Sequence, residues 1–338
     1  MPMNKKMHCQ FFLTLNPDML KYVRSKFRGH SVQTYNQIIS LDKLNPETEV
    51  LGVFVDSKVD KAVFQKLPKL KLILSLSTGF DHIDINEAKK RKVIVCNVPS
   101  YGENTVAEFA MMHILALTRK LFASVKRVKE GDYDYHGLRG IDIKGKVIGV
   151  VGTGKIGLHV IKMLKGFDVT LLAFDAFPKK ELQKEYGFQY VSLSKLLKES
   201  DIITLHVPLI DSTHHMINKS ALKKMKNTAY IVNTARGGII DSEALVWALE
   251  NNQIAGAGLD VLEGEDMLED TLKLFCPDCT QADTRLSLMN NIIIDHPNTI
   301  VTPHNAFNST EAVMRIIDTS VENFRSYTNG EVVNNVIK

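Results

Sequence analysis

Short apolar segments alternate along most of the chain with longer segments whose apolar residues recur at helical spacing. In the first third of the chain the apolar segments predict strands at 11–15, 50–55, 72–76 and 93–96. From Val147 onward a second series predicts strands at 147–151, 169–174, 202–207, 229–233, 257–260 and 300–301. Strands that alternate with helices are typical of parallel sheets covered by helices on both faces.

The length of the chain, 338 residues with 44% apolar content, is sufficient for two hydrophobic cores. We therefore expect an α/β fold with two doubly wound parallel-sheet domains. One domain, at 102–300, is predicted to be inserted into another made of 1–101 and 301–338. The helical pattern at 310–327 would return the chain to the domain that contains 1–101.

A long helix is predicted at 103–122, after a proline-containing connector that we interpret as a hinge. Its apolar residues cover more than one face, which predicts burial on a second side by a partner subunit and hence a homodimer. His113 lies on this helix, and we expect it to be a hydrogen-bonded core histidine rather than a ligand.

Charge and targeting signals narrow the class of protein. The formal charge of +4 is small for this length and the lysines are scattered, which argues against a nucleic-acid partner. No apolar run approaches the roughly 20 residues needed to span a bilayer. The first apolar run ends at Asn16, too early for a signal peptide. Four cysteines without a secretory signal indicate a reducing, cytoplasmic environment.

The segment 147–175 carries the strongest motif. An apolar β-branched run leads into Gly152, Gly154 and Gly157, a helical pattern follows, and Asp175 ends the next apolar run. Glycines at this spacing permit a tight turn, a close approach to a pyrophosphate and close packing of the helix on the strand. The helix N-terminus attracts phosphates, and the acid is placed to accept hydrogen bonds from ribose hydroxyls. This pattern predicts a dinucleotide site, which makes 102–300 a Rossmann-type cofactor domain. The flavodoxin-like domain made of 1–101 and 301–338 has no such glycine motif and is expected to be the substrate domain, and closure of the two domains would align the reactants.

Other predicted strand ends carry candidate substrate contacts. The backbone N–H groups of Thr78 and Gly79 are placed to bind a carboxylate, although an ordinary strand-to-helix turn explains the same residues. Tyr101 either projects into a cleft between domains or packs at the hinge. Arg236, flanked by small residues beyond a strand, is suited to a bidentate grip on a carboxylate.

Taken together, the motifs resemble the D-isomer-specific 2-hydroxyacid dehydrogenases, and within that family the D-lactate dehydrogenase branch. The likeness extends from about Val50 to the C-terminus. It is carried by Ser77-Thr78-Gly79, the glycine motif, Asp175, His206-Val207-Pro208, Asn233-Thr234-Ala235-Arg236-Gly237, Gly258-Leu259-Asp260-Val261 through Glu265, and Thr302-Pro303-His304-Asn305-Ala306.

The resemblance implies an NAD-dependent enzyme that interconverts a 2-oxo acid, such as pyruvate, and the D-2-hydroxy acid. It implies that Arg236 binds the substrate carboxylate and carbonyl, that His304 is the acid/base and that Glu265 is its carboxylate partner. Tyr101 stands where the lactate branch has a substrate-facing tyrosine. The positions expected to contact NAD are Val106, Gly152, Gly154, Lys155, Ile156, Gly157, Asp175, His206, Val207, Pro208, Thr213, Thr234, Ala235 and Asp260.

Two alternatives remain. One is a dehydrogenase for formate or phosphite on the same scaffold, and the other is a non-catalytic module that senses NAD(H). The joint presence of Arg236, Glu265 and His304 argues against the second alternative.

Two departures from the family bear on these expectations. Leu76 stands just before the carboxylate loop, where relatives often carry a basic residue, so neutralisation of the substrate falls to Arg236 and a dianionic substrate is disfavoured. Cys276 and Cys279 form a single CxxC, which is a weak metal signal because a structural zinc site usually has four ligands. We therefore predict no metal.

Overall fold

The computed structural model describes residues 6–265 and 280–337, and the chain divides into two compact units. Unit 1 comprises the chain up to Gly102 together with the segment from Asn308 onward, and unit 2 comprises Glu103–Phe307. The second boundary thus lies after Phe307 rather than at 301. The last strand and the His304 loop belong to unit 2, because that strand pairs with a neighbour in the sheet of unit 2.

Unit 1 contains a five-stranded parallel sheet in the order β2-β1-β3-β4-β5. Its strands are β1 (His8–Phe12), β2 (Ser31–Tyr35), β3 (Val50–Val53), β4 (Leu72–Ser75) and β5 (Ile94–Cys96). Its first helices are α1 (Pro17–Lys26), α2 (Lys61–Lys66) and α3 (Ile85–Lys90). The central strands β3 and β4 are buried along their whole length, as expected for apolar strands covered by helices on both faces.

Unit 2 contains a seven-stranded parallel sheet in the order β12-β11-β10-β9-β6-β7-β8. Its strands are β6 (Val147–Val151), β7 (Thr170–Phe174), β8 (Gln189–Tyr190), β9 (Ile202–Leu205), β10 (Tyr230–Asn233), β11 (Gly256–Leu259) and β12 (Thr299–Val301). Its helices are α4 (Glu103–Thr118), α5 (Leu121–Lys129), α6 (Lys155–Leu164), α7 (Lys180–Tyr186), α8 (Leu193–Glu199), α9 (Lys219–Leu222), α10 (Ser242–Glu250) and α11 (Gln281–Asp295). The last helix of the chain, α12 (Thr310–Thr328), belongs to unit 1.

The strand orders confirm the predicted fold class. The order in unit 2 is that of a Rossmann sheet, in which successive strands are added on one side of β6 up to β8 and on its other side from β9 onward. The order in unit 1 is flavodoxin-like. In such sheets ligands bind beyond the carboxyl ends of the strands, at the point where the strand order reverses. In unit 2 this point lies beside the glycine motif.

Two short strands were not predicted from the sequence. Strand β2 has the mixed sequence SVQTY and lies at the edge of its sheet, half exposed. Strand β8 has two residues and lies at an edge of the sheet of unit 2, beside β7. Edge strands need no continuous apolar run because one side lacks a neighbouring strand, so hydrophobic pattern detects them poorly.

The long helix predicted at 103–122 is in fact two helices. Helix α4 ends at Thr118, Lys120 takes a left-handed conformation with φ of +49°, and α5 follows. A left-handed residue interrupts α-helical hydrogen bonding. Most of the apolar circumference of α4 is buried within unit 2 itself, where the helix packs on α6, β10 and β11. Its apolarity on several faces therefore needs no partner subunit to explain it.

Candidate active site

The glycine motif forms the turn between β6 and α6. Gly152 has φ of +97°, and a side chain there would bring Cβ within 2.6 Å of the carbonyl oxygen of His206. At Gly157 a Cβ would lie 2.0 Å from the oxygen of Gly152, so only glycine lets the helix pack this closely on the turn. Gly154 is the N-cap of α6, and a Cβ there would meet no described atom within 4 Å. The helix N-terminus is thus open to an anion.

Asp175 follows β7, beside this turn. Its Oδ2 accepts hydrogen bonds from the backbone N (2.7 Å) and Oγ1 (2.8 Å) of Thr153, and its Oδ1 accepts one from the backbone N of Phe177 (2.9 Å). Burial raises the pKa of Asp175, but the hydrogen bonds from Phe177 and Thr153 outweigh it, and the net pKa is lowered. Asp175 is therefore a fixed carboxylate that stays ionised at neutral pH.

Thr234 and Ala235 follow β10 on the same edge of the sheet. The Thr234 hydroxyl is buried and has no hydrogen-bond partner among the described residues. The backbone N of Ala235 donates to Oδ1 of Asn233 (3.0 Å), which fixes the turn. A buried polar atom without a protein partner is unusual and points to a ligand. Together with the open turn at Gly154 and the fixed carboxylate of Asp175, this atom fits a dinucleotide such as NAD.

The other predicted cofactor positions lie in unit 2 with varied surroundings. The Nε2 atom of His206 lies 2.9 Å from Oγ1 of Thr204, and burial lowers the pKa of His206 to about 3, so its imidazole is neutral. Thr213 donates from Oγ1 to the carbonyl of Pro208 (2.6 Å) and thereby closes the loop after β9. The exposed side chain of Lys155 forms an ion pair with Glu103 at 3.1 Å. Val106 is buried, and Ile156 and Val207 are half-buried.

Arg236 stands in the turn after β10, and its backbone is held by a hydrogen bond from Asn233 Nδ2 to its carbonyl (2.9 Å). A Cβ on the following residue, Gly237, would lie 2.1 Å from the carbonyl carbon of Leu262 and 2.4 Å from the backbone N of Glu263. Glycine at this position lets the Arg236 turn lie directly against the loop that leads to Glu265. The arginine and the acid are therefore fixed on touching segments of backbone.

Glu265 and His304 are in direct contact. The Oε1 atom of Glu265 lies 2.7 Å from Nδ1 of His304, and its Oε2 accepts a hydrogen bond from the backbone N of Leu262 (3.2 Å). Both carboxylate oxygens are thus engaged, which fixes the rotamer of the acid. A carboxylate acceptor at Nδ1 assigns the proton of a neutral imidazole to Nδ1 and leaves Nε2 for proton exchange.

The loop that carries His304 is organised by Asp260. The buried carboxylate of Asp260 accepts hydrogen bonds from Thr302 Oγ1 (2.6 Å), Asn305 N (2.8 Å) and Ala306 N (2.8 Å), and its carbonyl accepts one from His304 N (2.8 Å). These bonds hold His304 at φ of +47°, a conformation that few residues other than glycine adopt. Burial raises the pKa of Asp260, while the hydrogen bonds from Thr302 and the loop oppose that shift.

Sequence reasoning included Thr302 in a motif without giving it a role, and it assigned Asp260 only to the cofactor. The structure adds His113, which is buried and has Nε2 3.1 Å from the hydroxyl of Thr302. Because Thr302 donates to Asp260, it accepts from Nε2–H of His113, and Nδ1 of His113 has no partner among the described residues. His113 is thus a core histidine bonded through one ring nitrogen, and burial lowers its pKa to about 4.

The predicted substrate contacts Thr78, Gly79 and Tyr101 lie in unit 1. Thr78 donates from Oγ1 to Val98 O (2.8 Å), and the carbonyl of Gly79 accepts from Ser77 Oγ (2.6 Å). Over 6–265 and 280–337, no backbone carbonyl accepts a hydrogen bond from the N–H of Thr78 or Gly79. The carbonyl of Tyr101 accepts a hydrogen bond from Nε of Arg315 (2.6 Å). Cys276 and Cys279 lie outside the described residues.

Sheet order and loop chemistry together place the chain among the NAD-binding oxidoreductases. Comparison with known proteins narrows the class: residues 111–306 match the family "D-isomer specific 2-hydroxyacid dehydrogenase, NAD binding domain". The chain belongs to this family, as its motifs predicted, and its cofactor is NAD.

Relatives carry more than one substrate name. The D-lactate dehydrogenase of Escherichia coli is 37% identical over 293 residues, which is 85% of this chain and 85% of that protein. The glyoxylate reductase of Korarchaeum cryptofilum is 36% identical over 295 residues, 86% of this chain and 83% of that protein. A crystal structure of D-lactate dehydrogenase from Aquifex aeolicus, complexed with NAD and lactic acid, superposes with a TM-score of 0.82 at 31% identity and covers 97% of this chain and 99% of that one.

These comparisons establish the family and the cofactor. No helix in the described part of the chain has the length and apolarity that crossing a bilayer requires.

Proposed function

We propose that this protein interconverts a small 2-oxo monocarboxylate and the corresponding D-2-hydroxy acid, with pyruvate and D-lactate as the first candidates. The observation that carries the proposal is the 2.7 Å contact between Glu265 and His304, with both oxygens of the acid engaged. This is the geometry of an oriented acid/base, since the carboxylate fixes the ring and leaves Nε2 for the substrate.

Bound NADH supplies the hydride that reaches C2 of the 2-oxo acid. In this direction the proton on Nε2 of His304 passes to the carbonyl oxygen, and the imidazole becomes neutral. In the oxidative direction neutral Nε2 takes the hydroxyl proton. Glu265 orients the ring in both directions, because its Oε1 lies 2.7 Å from Nδ1 of His304 and keeps Nε2 turned toward the substrate.

Arg236 is the anchor in this proposal. Its guanidinium forms two parallel hydrogen bonds to the substrate carboxylate or polarises the carbonyl beside it. The turn supports this role because Asn233 fixes the backbone of Arg236 and Gly237 brings the turn against the loop of Glu265. The substrate then lies close to the acid/base when it is held by the arginine.

Asp175 supports a preference for NADH over NADPH. Its carboxylate is fixed and ionised, so a 2′-phosphate placed beside it would meet like-charge repulsion. Equal kcat/KM with both cofactors would contradict the assignment of Asp175 as the ribose ligand. An Asp175→Asn variant that accepts NADPH better than the wild type would support it.

Leu76 bears on the charge of the 2-oxo acid that the protein uses. Leu76, just before the carboxylate loop, is buried and uncharged, which leaves neutralisation of the substrate to Arg236 and favours a monocarboxylate over a dianionic acid. The decisive measurement is NADH oxidation with a panel of pyruvate, glyoxylate, a bulkier 2-oxo acid and a dicarboxylic 2-oxo acid. Pyruvate should give the highest kcat/KM. A preference for glyoxylate would make the protein a glyoxylate reductase.

Two further assays separate the remaining alternatives. Oxidation of D-lactate without oxidation of L-lactate would support the D-specific reaction, and NAD reduction with formate or phosphite alone would replace it. Tight NADH binding without turnover on any acid would indicate the sensing module instead.

We propose different binding roles for the two units. Unit 2 is the NAD-binding domain, and unit 1, with Thr78, Gly79 and Tyr101, is the substrate domain. Tyr101→Phe is expected to raise KM for the 2-oxo acid and to leave NADH binding unchanged. The matched control is Tyr133→Phe, an exposed tyrosine of unit 2.

We also propose a homodimer, but on different evidence from the apolarity of α4. Helix α5 has no buried residue, and its Leu121, Phe122, Val125 and Val128 are between 43% and 52% exposed. Such an apolar surface on one helix is typical of an interface. Phe122→Asp with Val125→Asp should reduce the mass measured by sedimentation, and Lys126→Glu on the same helix is the control. A charged substitution on α4, such as Ala110→Asp, would not test the dimer, because Ala110 is buried in the core of unit 2 and the change would disturb folding.

A further inference from the structure

We propose that His214, His215 and Glu263 form a binding site for a divalent transition-metal ion such as Zn²⁺. The three side chains lie in unit 2, outside the pair that the proposed reaction uses, and the site does not depend on that reaction. It differs from the expectation of no metal, which rested on the isolated CxxC of Cys276 and Cys279.

The ligand atoms are already close together. The Nε2 atom of His215 lies 2.7 Å from Oε1 of Glu263, and Nε2 of His214 lies 3.7 Å from the same oxygen. One ligand atom from each residue lies within 4.8 Å of both others. In a tetrahedral zinc site with bonds of about 2.0–2.2 Å, ligand atoms are roughly 3.4 Å apart. The two measured distances lie on either side of that value.

Two of the three ligands are held by the backbone around them. His215 has φ of +50°, and its N–H donates to the carbonyl of Gly238 (2.8 Å). The carbonyl of Glu263 accepts a hydrogen bond from Nδ2 of Asn290 (2.8 Å), whose side chain is buried. A site whose ligands are positioned in advance loses less conformational entropy when the ion binds.

The imidazole ring of His214, the third ligand, has to rotate before it can bind the ion. The rings of His214 and His215 are stacked, with centroids 3.9 Å apart and an angle of 25° between their planes. Since an imidazole binds a metal in the plane of its ring, one ring must rotate before both Nε2 atoms face one ion. The His214 side chain is 54% exposed and has the room to rotate.

The donor set selects the class of ion. Two imidazoles and one carboxylate suit Zn²⁺, Co²⁺ and Ni²⁺, whereas Mg²⁺ and Ca²⁺ prefer oxygen ligands alone. Three protein ligands leave the fourth position of a tetrahedral ion to water. Without the metal, His215 and Glu263 remain a hydrogen-bonded pair.

Occupancy of this site is expected to affect the loop of Glu265. Glu263 precedes Glu265 by two positions, and its backbone touches the Arg236 turn at Gly237. An ion that draws the side chain of Glu263 toward His214 would shift this loop, so we expect Zn²⁺ to lower kcat and to leave NADH affinity unchanged. This consequence rests on the proposed function, whereas metal binding itself does not.

The test measures the metal directly. The full-length chain, freed of metal with a chelator, is dialysed against Zn²⁺, Co²⁺ or Mg²⁺, and bound metal is determined by elemental analysis. We expect one Zn²⁺ per chain and no Mg²⁺. His214→Ala and His215→Asn should each weaken Zn²⁺ binding more than about tenfold. Asparagine is chosen for His215 because it tolerates the left-handed backbone.

Two controls complete the experiment. His136→Ala, at an exposed histidine elsewhere in unit 2, and the double variant Cys276→Ser with Cys279→Ser should both retain Zn²⁺. The Co²⁺ form should lack the intense thiolate-to-metal absorption in the near ultraviolet. Absence of bound Zn²⁺, retention by His214→Ala and His215→Asn, or loss in the cysteine double variant would each overturn the proposal.

Discussion

At the amino ends of the strands, the two units are built alike. In unit 1, Glu49 precedes β3 and forms an ion pair at 2.6 Å with Lys71, which precedes β4. In unit 2, Asp201 precedes β9 and forms an ion pair at 2.7 Å with Lys226, in the loop before β10. Each pair ties together the starts of strands. At this edge both units use charged side chains to stabilise the sheet.

The carboxyl edges of the two sheets differ. In unit 1 the turn after β4 is closed by its own side chains, with Ser77 Oγ donating to the carbonyl of Gly79 at 2.6 Å. In unit 2 the corresponding edge has the open turn at Gly154 and the pair of Glu265 with His304, and the Thr234 hydroxyl there has no partner within the part of the chain that the structure describes. Two parallel sheets of similar architecture therefore end in different kinds of loop. Chemistry depends on the loop at the end of each strand and not on the sheet itself.

The variant His304→Gln tests this difference between the two units most strongly. If the carboxyl edge of unit 2 supplies the acid/base, this change should lower kcat by about 10²–10⁴-fold in both directions, because glutamine exchanges no proton. NADH affinity, measured by fluorescence, should stay near that of the wild type. His159→Gln, on α6, is the control. Substantial turnover without His304 would remove it as the acid/base.

Arg236→Lys tests the anchor on the same edge. Lysine keeps the charge but lacks the planar pair of donors that fits a carboxylate. We expect a loss of about 2–4 kcal/mol in transition-state binding, measured as kcat/KM for the 2-oxo acid. A variant within about threefold of the wild type would show that Arg236 is not the anchor.

Two glycine variants separate folding from cofactor binding at the turn after β6. Gly157→Ala puts a Cβ 2.0 Å from the Gly152 carbonyl oxygen, so the free energy of unfolding should fall by about 1–3 kcal/mol or more. Gly154→Ala meets no described atom within 4 Å and should fold normally but bind NADH weakly. Thermal melting and NADH titration measure the two effects. Equal melting temperatures for both variants would contradict this account of the turn.

The variant Glu265→Gln tests whether Glu265 is the partner that holds His304. Both oxygens of Glu265 accept hydrogen bonds, whereas an amide has a single acceptor and must lose the bond from His304 or from Leu262. The expected cost is about 1–3 kcal/mol, seen in kcat more than in the KM for NADH. Glu250→Gln, at an exposed position on α10, should behave like the wild type. If Glu265→Gln did so too, Glu265 would not be the partner of His304.

The smallest expected effect concerns the amino edge. Burial raises the pKa of Asp201, but the hydrogen bonds from Lys226 and Val147 outweigh it, and the net pKa is below the usual value. The resulting stabilisation is present above the unfolded-state pKa and is lost as pH falls through the folded-state pKa. Asp201→Asn should therefore lower the unfolding free energy by about 1 kcal/mol at neutral pH.

Activity per folded molecule should not change in Asp201→Asn. The difference in stability from the wild type should shrink as pH falls below about 3.9, the usual pKa of an unfolded aspartate, and should disappear once pH falls through the lowered folded-state pKa. Asp211→Asn, at an exposed position, is the control. A stability difference that persists unchanged in acid would show that the charge of Asp201 is not its cause.

The hydrophobic pattern predicted most of the architecture correctly. The apolar runs at 50–55 and 202–207 form the buried strands β3 and β9. The fold class and the NAD cofactor were also predicted from motifs, because glycine spacing and a following acid reflect local requirements of one turn. Errors fell where local pattern is weakest: the edge strands β2 and β8, and the break in the predicted helix at Lys120.

The sequence by itself determined which residue types stand at each strand end, and this sufficed to propose Arg236, Glu265 and His304. Only the tertiary structure decided how these residues are held. The bonds from Thr302 and the loop to Asp260, and the contact of Gly237 with Leu262, join segments far apart in the chain. Likewise, His214 and His215 meet Glu263 because two loops lie side by side. Such contacts depend on strand order, which hydrophobic periodicity does not encode.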